Sequence, residues 1–419
     1  MDHTFVIHYS EVALKGKNRP EFARALRRGI SRVIAEDRTA TVDHSEGRFF
    51  LTTSADPAET SARLSRVFGI AWFAEATQVQ ADYDCIKTSV IDHANPGGET
   101  TFRISVRRSN KSFGVDSMEM ERRLGAEVVS RTGRRVDLSH PGQTVHVDIL
   151  RDRALVYSDR TRGPGGLPVG TAGRVMHLFS GGIDSPVAAW LLMKRGCTPV
   201  YLHFYLAPTP ANVLESKVLR LIKVLSSFSG KSTMVLVPFA EYQLGTSDLP
   251  SDLEPSLFRR FMRLTGETLA SRFGASGIST GDCLSQAASQ TLWNLGVFDG
   301  GSVLPILRPL LTYDKEEVIR LARLIGTYDL SLEEYKDCCS MVTRHPKTRA
   351  KADIIGRYAE TLDFPALISK SLEQGSLVTY SPASDETRIA PLNRVPATSE
   401  APAAEIISRK ESPDLGEVN

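Results

Sequence analysis

The hexapeptide "SGGIDS", Ser180 to Ser185, gathers Gly181 and Gly182, two serines and Asp184 at one point of the chain. Glycines let a backbone approach a ligand closely, serine hydroxyls donate hydrogen bonds, and N–H groups at a helix start attract anions. A phosphate chain is the group such a loop would hold. Asp184 would repel that phosphate unless a cation bridged them, so it calls for Mg2+. The flanking stretches supply the setting. "VMHLF" before the loop reads as a buried strand and "SPVAAWLLMKRG" after it as a helix. Pro186 suits the first helical position, Ser185 is a candidate cap and Gly196 ends the helix. No Gly-Lys-Ser/Thr follows at the spacing of a Walker loop. A tight βα turn with no ligand is the plain alternative.

From Val175 onward strands and helices alternate: "VMHLF", a helix over 186–195, "PVYLHF", a helix within 212–228, "TMVLVPF", a long helix across 255–272, then "GASGIST". That order implies a mainly parallel sheet covered on both faces. "YDKEEVIRLARLIG" predicts a helix with a capping box, Asp314 at the cap and Glu317 three residues on. Two other segments come first. "TFVIHYSEVAL" is strand-like, "RPEFARALRRGISRVIAE" has helical spacing with Asn18 as candidate cap, and "RFFLTT", "PAETSARLSRVFG" and "AWFAEATQV" read strand, helix, strand. This is a small α+β domain over 1–76. Helix "YDCIKTSVIDHAN", strand "TFRISVRRSN", helix "SMEMERRLGAEVVSRTG" and paired strands "TVHVDILRD" and "ALVYSDR" make a second domain over 77–165. "RGPGGLPVGTAG", Arg162 to Gly173, reads as the connection to a third domain over 174–394, a flexible linker being the alternative. Residues 395–419 lack aromatics and read as a mobile tail.

A 41% hydrophobic composition suits two or three ordinary domains and argues against global disorder. No long apolar run suggests a membrane span, and the first residues lack the apolar centre of a secretion signal. Five unevenly spaced cysteines point to a reducing, cytoplasmic setting. The net charge of +2 hides a local excess. Between Arg103 and Arg135 nine Lys/Arg face four acids, which suits phosphate contacts with a nucleic acid or, more plainly, a solvated face. Within that window "FRISVRRSNKSF" sets Arg107, Arg108 and Lys111 among Phe102 and Phe113, and Lys15, Lys17 and Arg19 extend the basic surface.

The loop resembles the SGG-x-DS loop of the PP-loop ATP pyrophosphatases. Taken in order, "SEVALKGKNRPEF", "VRRSNKSF", "GGLPVG", "SGGIDSPVAAWLLMKRG", "ASQT" and "RPLLTYDKEEVI" are similar to the tRNA 4-thiouridine synthase (tRNA sulfurtransferase) family over about residues 5 to 365. The resemblance implies a ferredoxin-like N-terminal domain, a THUMP RNA-binding domain and a PP-loop, adenine nucleotide alpha hydrolase-like catalytic domain. It implies that ATP adenylates O4 of uridine 8 in tRNA and that sulfur then replaces the activated oxygen. It also ties the family to sulfur transfer into the thiamine thiazole through a sulfur carrier protein. Beside the ATP-binding loop residues Ser180, Gly181, Gly182 and Ser185, the family's nucleotide contacts fall on Leu178, Phe179, His203, Phe204, Arg259, Gly281 and Gln290. Taken alone, His203 reads equally as a satisfied core histidine, Leu178, Phe179 and Phe204 as core, and Arg259 as a solvated helix charge.

In the family's pattern the sulfur carrier falls on Cys339, the second cysteine of "YKDCCSMVTRHPKTRA", where a thiolate accepts a sulfane sulfur. Arg344, His345, Lys347 and Arg349 follow it and would lower its pKa or hold tRNA phosphates. Cys85 and Cys197 read as core, and Cys283 as a small residue near the nucleotide or a resetting thiol, a role Cys338 or an external thiol could equally fill. No C-x-x-C supports a zinc or iron–sulfur site. The family's longer members carry a rhodanese-like domain with a second working cysteine. No cysteine follows residue 365 here, so a short form served by a separate cysteine desulfurase is expected. A dimer is the default oligomer. An amidating ligase, a sulfur enzyme serving only thiamine, and a non-catalytic RNA-binding protein are the competing readings.

Overall fold

The computed structural model describes residues 2–94, 101–109, 114–247, 249–250, 252–336, 338 and 348–394. Its first part is built on β1 (His3–Tyr9), α1 (Arg19–Val33), β2 (Thr41–Ser45), β3 (Arg48–Thr53), α2 (Pro57–Leu64) and β4 (Ile70–Gln80). The strand order β2-β3-β1-β4 is that of a ferredoxin-like unit. α1 shows Ala23, Leu26 and Ile30 to the sheet at helical spacing, and they pack on Phe5, Ile7 and Phe73. Two expectations change here. "EVAL" does not extend the first strand: the register breaks between His8 and Tyr9, and Glu11–Asn18 winds into a 3-10 turn. Asn18 makes no side-chain cap. The edge strand β2 escaped the sequence because only Val42 of its five residues is buried, so it carries no apolar alternation.

The second part follows as α3 (Tyr83–Ala94), β5 (Thr101–Arg108), α4 (Ser117–Thr132), β6 (Arg135–Val136), β7 (Gln143–Ile149) and β8 (Arg153–Tyr157). Both parts share one sheet, because β4 is long enough to serve two partners. Its residues Ile70 to Ala76 pair with β1, and Thr77 to Gln80 pair with β8. Ile86, Val90, Leu124 and Val128 of α3 and α4 cover one face of the second half.

The connection is a fixed strap, which overturns the flexible-linker alternative. β9 (Thr161–Arg162) pairs with β4. Gly163 and Gly165 donate to Ala71 O and Ile70 O, and Leu167 donates to Lys194 O at 2.9 Å. The last acceptor lies at the C-terminal end of α5 (Asp184–Lys194), where carbonyls have no helical partner. One strap therefore ties the first sheet to the helix behind the phosphate loop.

β10 (Arg174–Leu178) opens the third part. β11 (Thr198–Tyr205), α6 (Pro210–Leu214), α7 (Lys217–Ser229), β12 (Ser232–Pro238), α8 (Ala240–Gly245), α9 (Glu254–Phe273) and β13 (Ala275–Ser279) follow. Next come α10 (Leu292–Asp299), β14 (Ile306–Leu307), α11 (Lys315–Ile325) and α12 (Tyr328–Leu332). Helices Ala352–Thr361 and Phe364–Glu373 and strands β15 (Ser376–Ser381) and β16 (Glu386–Pro391) complete it. The sheet order is β14-β13-β10-β11-β12-β15-β16. Five strands are parallel, as expected, and β15 and β16 add an antiparallel edge that the sequence pattern did not reveal. α5 and α7 cover one face and α9 the other. The chain runs outward from β10 through β11 and β12, then returns to β13 on its other side. That reversal opens a crevice at the carboxyl ends of β10 and β13.

The first and third parts also touch directly. Phe68 packs edge-on against Trp190, with centroids 5.3 Å apart. Arg32 donates to the carbonyls of Phe228 (2.9 Å) and Ser229 (3.0 Å), the exposed acceptors that end α7. The mobile tail expected over 395–419 lies outside the described residues.

Gly166 is the point where the strap has least room. Its φ is 74°, and a Cβ there would stand 2.1 Å from the Lys194 carbonyl oxygen. Gly166→Ala should destabilise the protein by at least about 2 kcal/mol and expose Arg162 to Gly173 to protease. Urea unfolding and limited proteolysis check this.

Candidate nucleotide site and basic surroundings

The phosphate loop is shaped by its own serines. The Ser185 hydroxyl donates to Ser180 O at 2.9 Å and accepts from Ser180 N–H at 3.0 Å. Ser185 is therefore a loop clamp and not the expected cap. α5 begins at Asp184 with Ile183 at the cap position and no side-chain cap, which puts Pro186 third and not first. A helix start without a side-chain cap offers its N–H groups and positive end to an anion.

His177 holds this loop from below. Its Nε2–H donates to Ser185 O at 2.9 Å, and Nδ1 accepts from the Ser279 hydroxyl at 2.7 Å. The ring thus links β10, β13 and the start of α5. Gly281 closes the other side: a Cβ there would lie 2.8 Å from Ser185 N, so only glycine lets the two turns approach.

Above the crevice is a cavity of about 280 Å³. Leu178, Phe179, Ser180, Asp184, Ser185, Phe204, Arg259, Gly281 and Gln290 line it, so most of the expected contacts converge. Gly181, Gly182 and His203 do not line it. A Cβ on Gly181 would meet Lys217 and Tyr335 instead. His203 is fully buried, donates from Nδ1 to Phe179 O at 2.9 Å and accepts at Nε2 from Tyr335 OH at 2.8 Å. Its side chain is the satisfied core histidine, supporting the loop from behind.

Arg259 points into a charge network that sequence reasoning missed. Its guanidinium forks onto Asp282, at 3.0 and 2.7 Å. Thr280 Oγ1 donates to the same carboxylate at 2.7 Å and Arg308 Nε at 3.3 Å, while Arg308 also pairs with Asp299. Burial pushes the Asp282 carboxyl up, but Arg259, Thr280 and Arg308 outweigh it and hold it at about 2. Asp184 has partners as well: Lys315 Nζ on Oδ1 and Gln286 Nε2 on Oδ2, both at 2.8 Å. Lys315 opens α11, and the expected capping box of Asp314 and Glu317 fixes that helix start. The motifs "GDCLSQ" and "RPLLTYDKEEVI" contain Asp282, Gln286, Arg308 and Lys315, but nothing in their spacing pairs them with Arg259 and Asp184.

Comparison with known proteins decides the family. Residues 4–74 match the ThiI ferredoxin-like domain, 83–159 the THUMP domain and 170–364 the family described as thiamine biosynthesis protein (ThiI). A probable tRNA sulfurtransferase of Moorella thermoacetica is 36% identical over 91% of this chain and 99% of its own length. This chain belongs to the tRNA sulfurtransferase family. A second probable tRNA sulfurtransferase, from Brevibacillus brevis, is 35% identical over 91% of this chain and 97% of its own. Among solved structures, a 4-thiouridine synthetase–RNA complex with bound ATP superimposes with a TM-score of 0.81 at 30% identity, covering 93% of this chain and all of that one. PH1313 from Pyrococcus horikoshii shares the fold, with a TM-score of 0.58 at 21% identity over 77% of this chain and 99% of its own.

Among the described residues one cysteine, the buried Cys338, stands in the wall of the sulfurtransferase cavity. Cys339, Arg344, His345 and Lys347 lie outside the described residues. Cys283 is buried too, and burial with the nearby Asp184 carboxylate pushes its thiol up to about 11, which leaves it protonated and unreactive. Cys197 is core, but Cys85 is only half-buried beside Asp82, so it is not a core residue. Among the described residues no group of three metal-ligating side chains forms.

Arg107 and Arg108 fall on opposite faces of β5, as strand period requires. Arg108 donates inward to Val115 O at 2.7 Å. Arg107 is exposed. It shares the open sheet face with Arg48 and Arg160, and there burial first, then these three cations, push His8 down to about 3. His8 stacks on Trp72 at 3.9 Å, and Arg160 covers the same ring at 4.3 Å. Phe102 is core and not part of this face. Lys111 and Phe113 lie outside the described residues. Of the basic run in the first domain, Lys15 lies over the Phe22 ring and Arg19 donates to Ala13 O.

Burial holds His177 at about 4, against an ordinary 6.5, so it is neutral in the fold at pH 7. The unfolded chain takes up the proton first as pH falls. The stability from this group is therefore complete above 6.5 and lost towards 4, by about 1.4 kcal/mol per pH unit. His177→Gln keeps an N–H donor but cannot titrate. Urea midpoints measured from pH 7 to 4.5 should fall with pH less steeply, by one proton, in the variant.

Proposed function

We propose that this sulfurtransferase uses ATP to adenylate O4 of uridine 8 in tRNA and then replaces that oxygen with sulfur carried on Cys339, giving 4-thiouridine. The observation that carries the reading is that one cavity joins the phosphate loop, Asp184 and Cys338, the residue next to the expected sulfur carrier.

ATP sits with its phosphates over Ser180 to Ser185 and its adenosine against Leu178, Phe179, Phe204 and Gln290. Asp184 is the residue that would hold Mg2+, which usually takes one or two carboxylates plus substrate phosphates, and the ion would neutralise charge on the departing pyrophosphate. Asp282, itself held by Arg308, keeps Arg259 oriented at the cavity wall, where a guanidinium can stabilise phosphoryl charge.

Uridine O4 attacks the α-phosphorus and pyrophosphate leaves. The terminal sulfur of the Cys339 persulfide attacks C4 and AMP leaves with O4. A second thiolate then cleaves the sulfur–sulfur bond, leaving sulfur on C4 and Cys339 in a disulfide that an external dithiol reduces. Cys338 or an external thiol suits that step better than Cys283, whose proton is held. A separate cysteine desulfurase supplies the persulfide in the cytoplasm, and the thiamine description of the family supports a second acceptor, a thiamine sulfur carrier protein.

Asp184→Ala should abolish uridine-dependent AMP release without unfolding the protein, as read by nucleotide chromatography and circular dichroism. Cys339→Ser should stop desulfurase-driven 4-thiouridine formation yet still bind ATP and tRNA, and excess sulfide should partly restore product. Wild-type product formation by Cys339→Ser would move the carrier elsewhere.

The open sheet face around Arg107 and Arg160 is the proposed tRNA surface. Replacing both by Gln should weaken tRNA binding and lower the log–log salt slope by about one for each phosphate no longer neutralised. Arg108→Gln should leave the slope unchanged.

A further inference from the structure

α10 has two unlike faces. Asn294, Leu295 and Phe298 are buried, and Phe298 lines the nucleotide cavity beneath Arg259. On the opposite side Leu292 is 74% exposed and Trp293 59% exposed, and a Cβ on Gly296 would meet nothing within 4 Å. These three residues share a helix face and floor an open groove. A tryptophan and a leucine side by side in water form an apolar patch that a binding partner would cover.

The groove's far wall is basic. The Arg349 guanidinium lies 4.1 Å from the Trp293 ring centroid, and Lys351 follows on the same wall. Asp353 is the acid lining the groove, and Arg357 approaches it at 3.5 Å. The two walls are bonded to each other: Thr291 Oγ1 donates to Thr348 O at 2.6 Å, and Ala350 N–H donates to Asn294 Oδ1 at 2.9 Å. The groove and the reaction cavity lie against opposite faces of α10. Gln290, three residues before Trp293, lines the cavity, and so does Cys338.

An aromatic face beside two cations, next to a cavity that must receive a nucleobase, suits single-stranded nucleic acid. A base taken out of its stack for chemistry leaves its neighbours without a stacking partner. We propose that Trp293 is a positioning residue that stacks an unstacked tRNA nucleotide adjoining the reacting uridine, with Arg349 and Lys351 on the neighbouring phosphates. This rests on the tRNA reading above.

The experiment uses the full chain, unmodified tRNA, ATP and magnesium, with sulfide as sulfur source so that no desulfurase is needed. Trp293→Ala should raise KM for tRNA by roughly 5- to 160-fold, the range for removing one base–aromatic stack, and leave KM for ATP unchanged. Trp293→Phe should restore KM for tRNA to within about threefold, since a phenyl ring also stacks. Saturating tRNA should quench wild-type tryptophan emission more than that of Trp293→Phe, although the variant still binds. An unchanged KM for tRNA in Trp293→Ala, with wild type turning over normally, overturns the proposal and leaves the tRNA reading standing. A rise in both KM values that Trp293→Phe does not rescue overturns it in favour of a structural role. Loss of a dimer in Trp293→Ala with unchanged KM overturns it and assigns the groove to a second copy of the chain. Failure of the wild type to thiolate tRNA removes the tRNA reading and this proposal together.

Discussion

The hold of His177 on the first turn of α5 is the constraint from which the rest of the site follows. A helix start that is to receive an anion cannot satisfy itself with a side-chain cap, because the cap would occupy the ligand's donors. The loop must then be held by something else. Here the Ser185 main chain is bound from beneath by a buried neutral imidazole, and its side chain folds the loop back on Ser180. Because the same imidazole reaches Ser279 on β13, it ties the loop to the neighbouring strand end. Gly281 can then approach Ser185, and the crevice between β10 and β13 keeps its width.

Charge around the cavity is organised so that few groups face it alone. Asp282 ties Arg259 and Arg308, and Asp184 is met by Lys315 and Gln286. Buried charges are tolerable only in such company, and breaking one pair strands the other partner. Paired guanidiniums also stay where they are aimed, so a ligand's phosphate meets a charge already oriented. The partners that hold Asp184 come from different elements, Gln286 after β13 and Lys315 on α11. Its position therefore reports whether the third domain is assembled.

Distance between the basic sheet face and the cavity is set by stiff parts. β4 belongs to two pairing partners at once, which removes a hinge between the first two domains. The strap from Thr161 to Gly173 bonds to both β4 and the end of α5, and Arg32 caps α7 from across the interface. These connections hold the basic sheet face and the cavity at one separation.

Much was legible in the sequence because it is local. The strand–loop–helix around "SGGIDS", the capping box at Asp314 and Glu317, the parallel β/α alternation and the family motifs all lie within short windows where spacing carries the signal. Leu178, Phe204 and Gly281 meet at one cavity because they stand at the carboxyl ends of neighbouring parallel strands. The partnerships were not legible. Asp282 with Arg259 and Arg308, Lys315 with Asp184, His203 with Tyr335 and Trp293 with Arg349 join residues distant in sequence, and a charge or ring in the chain does not name its partner. Edge strands β2 and β16 were missed because they bury little and so show no alternation. The faces of Arg107 and Arg108 followed once β5 was placed in its sheet, since strand period separates adjacent residues but only the sheet's covered side says which one meets water. The sequence alone determined which chemistry was present and in what order. The tertiary structure decided which side chains share a site, because that depends on strand order and helix packing, which bring together residues the chain keeps apart.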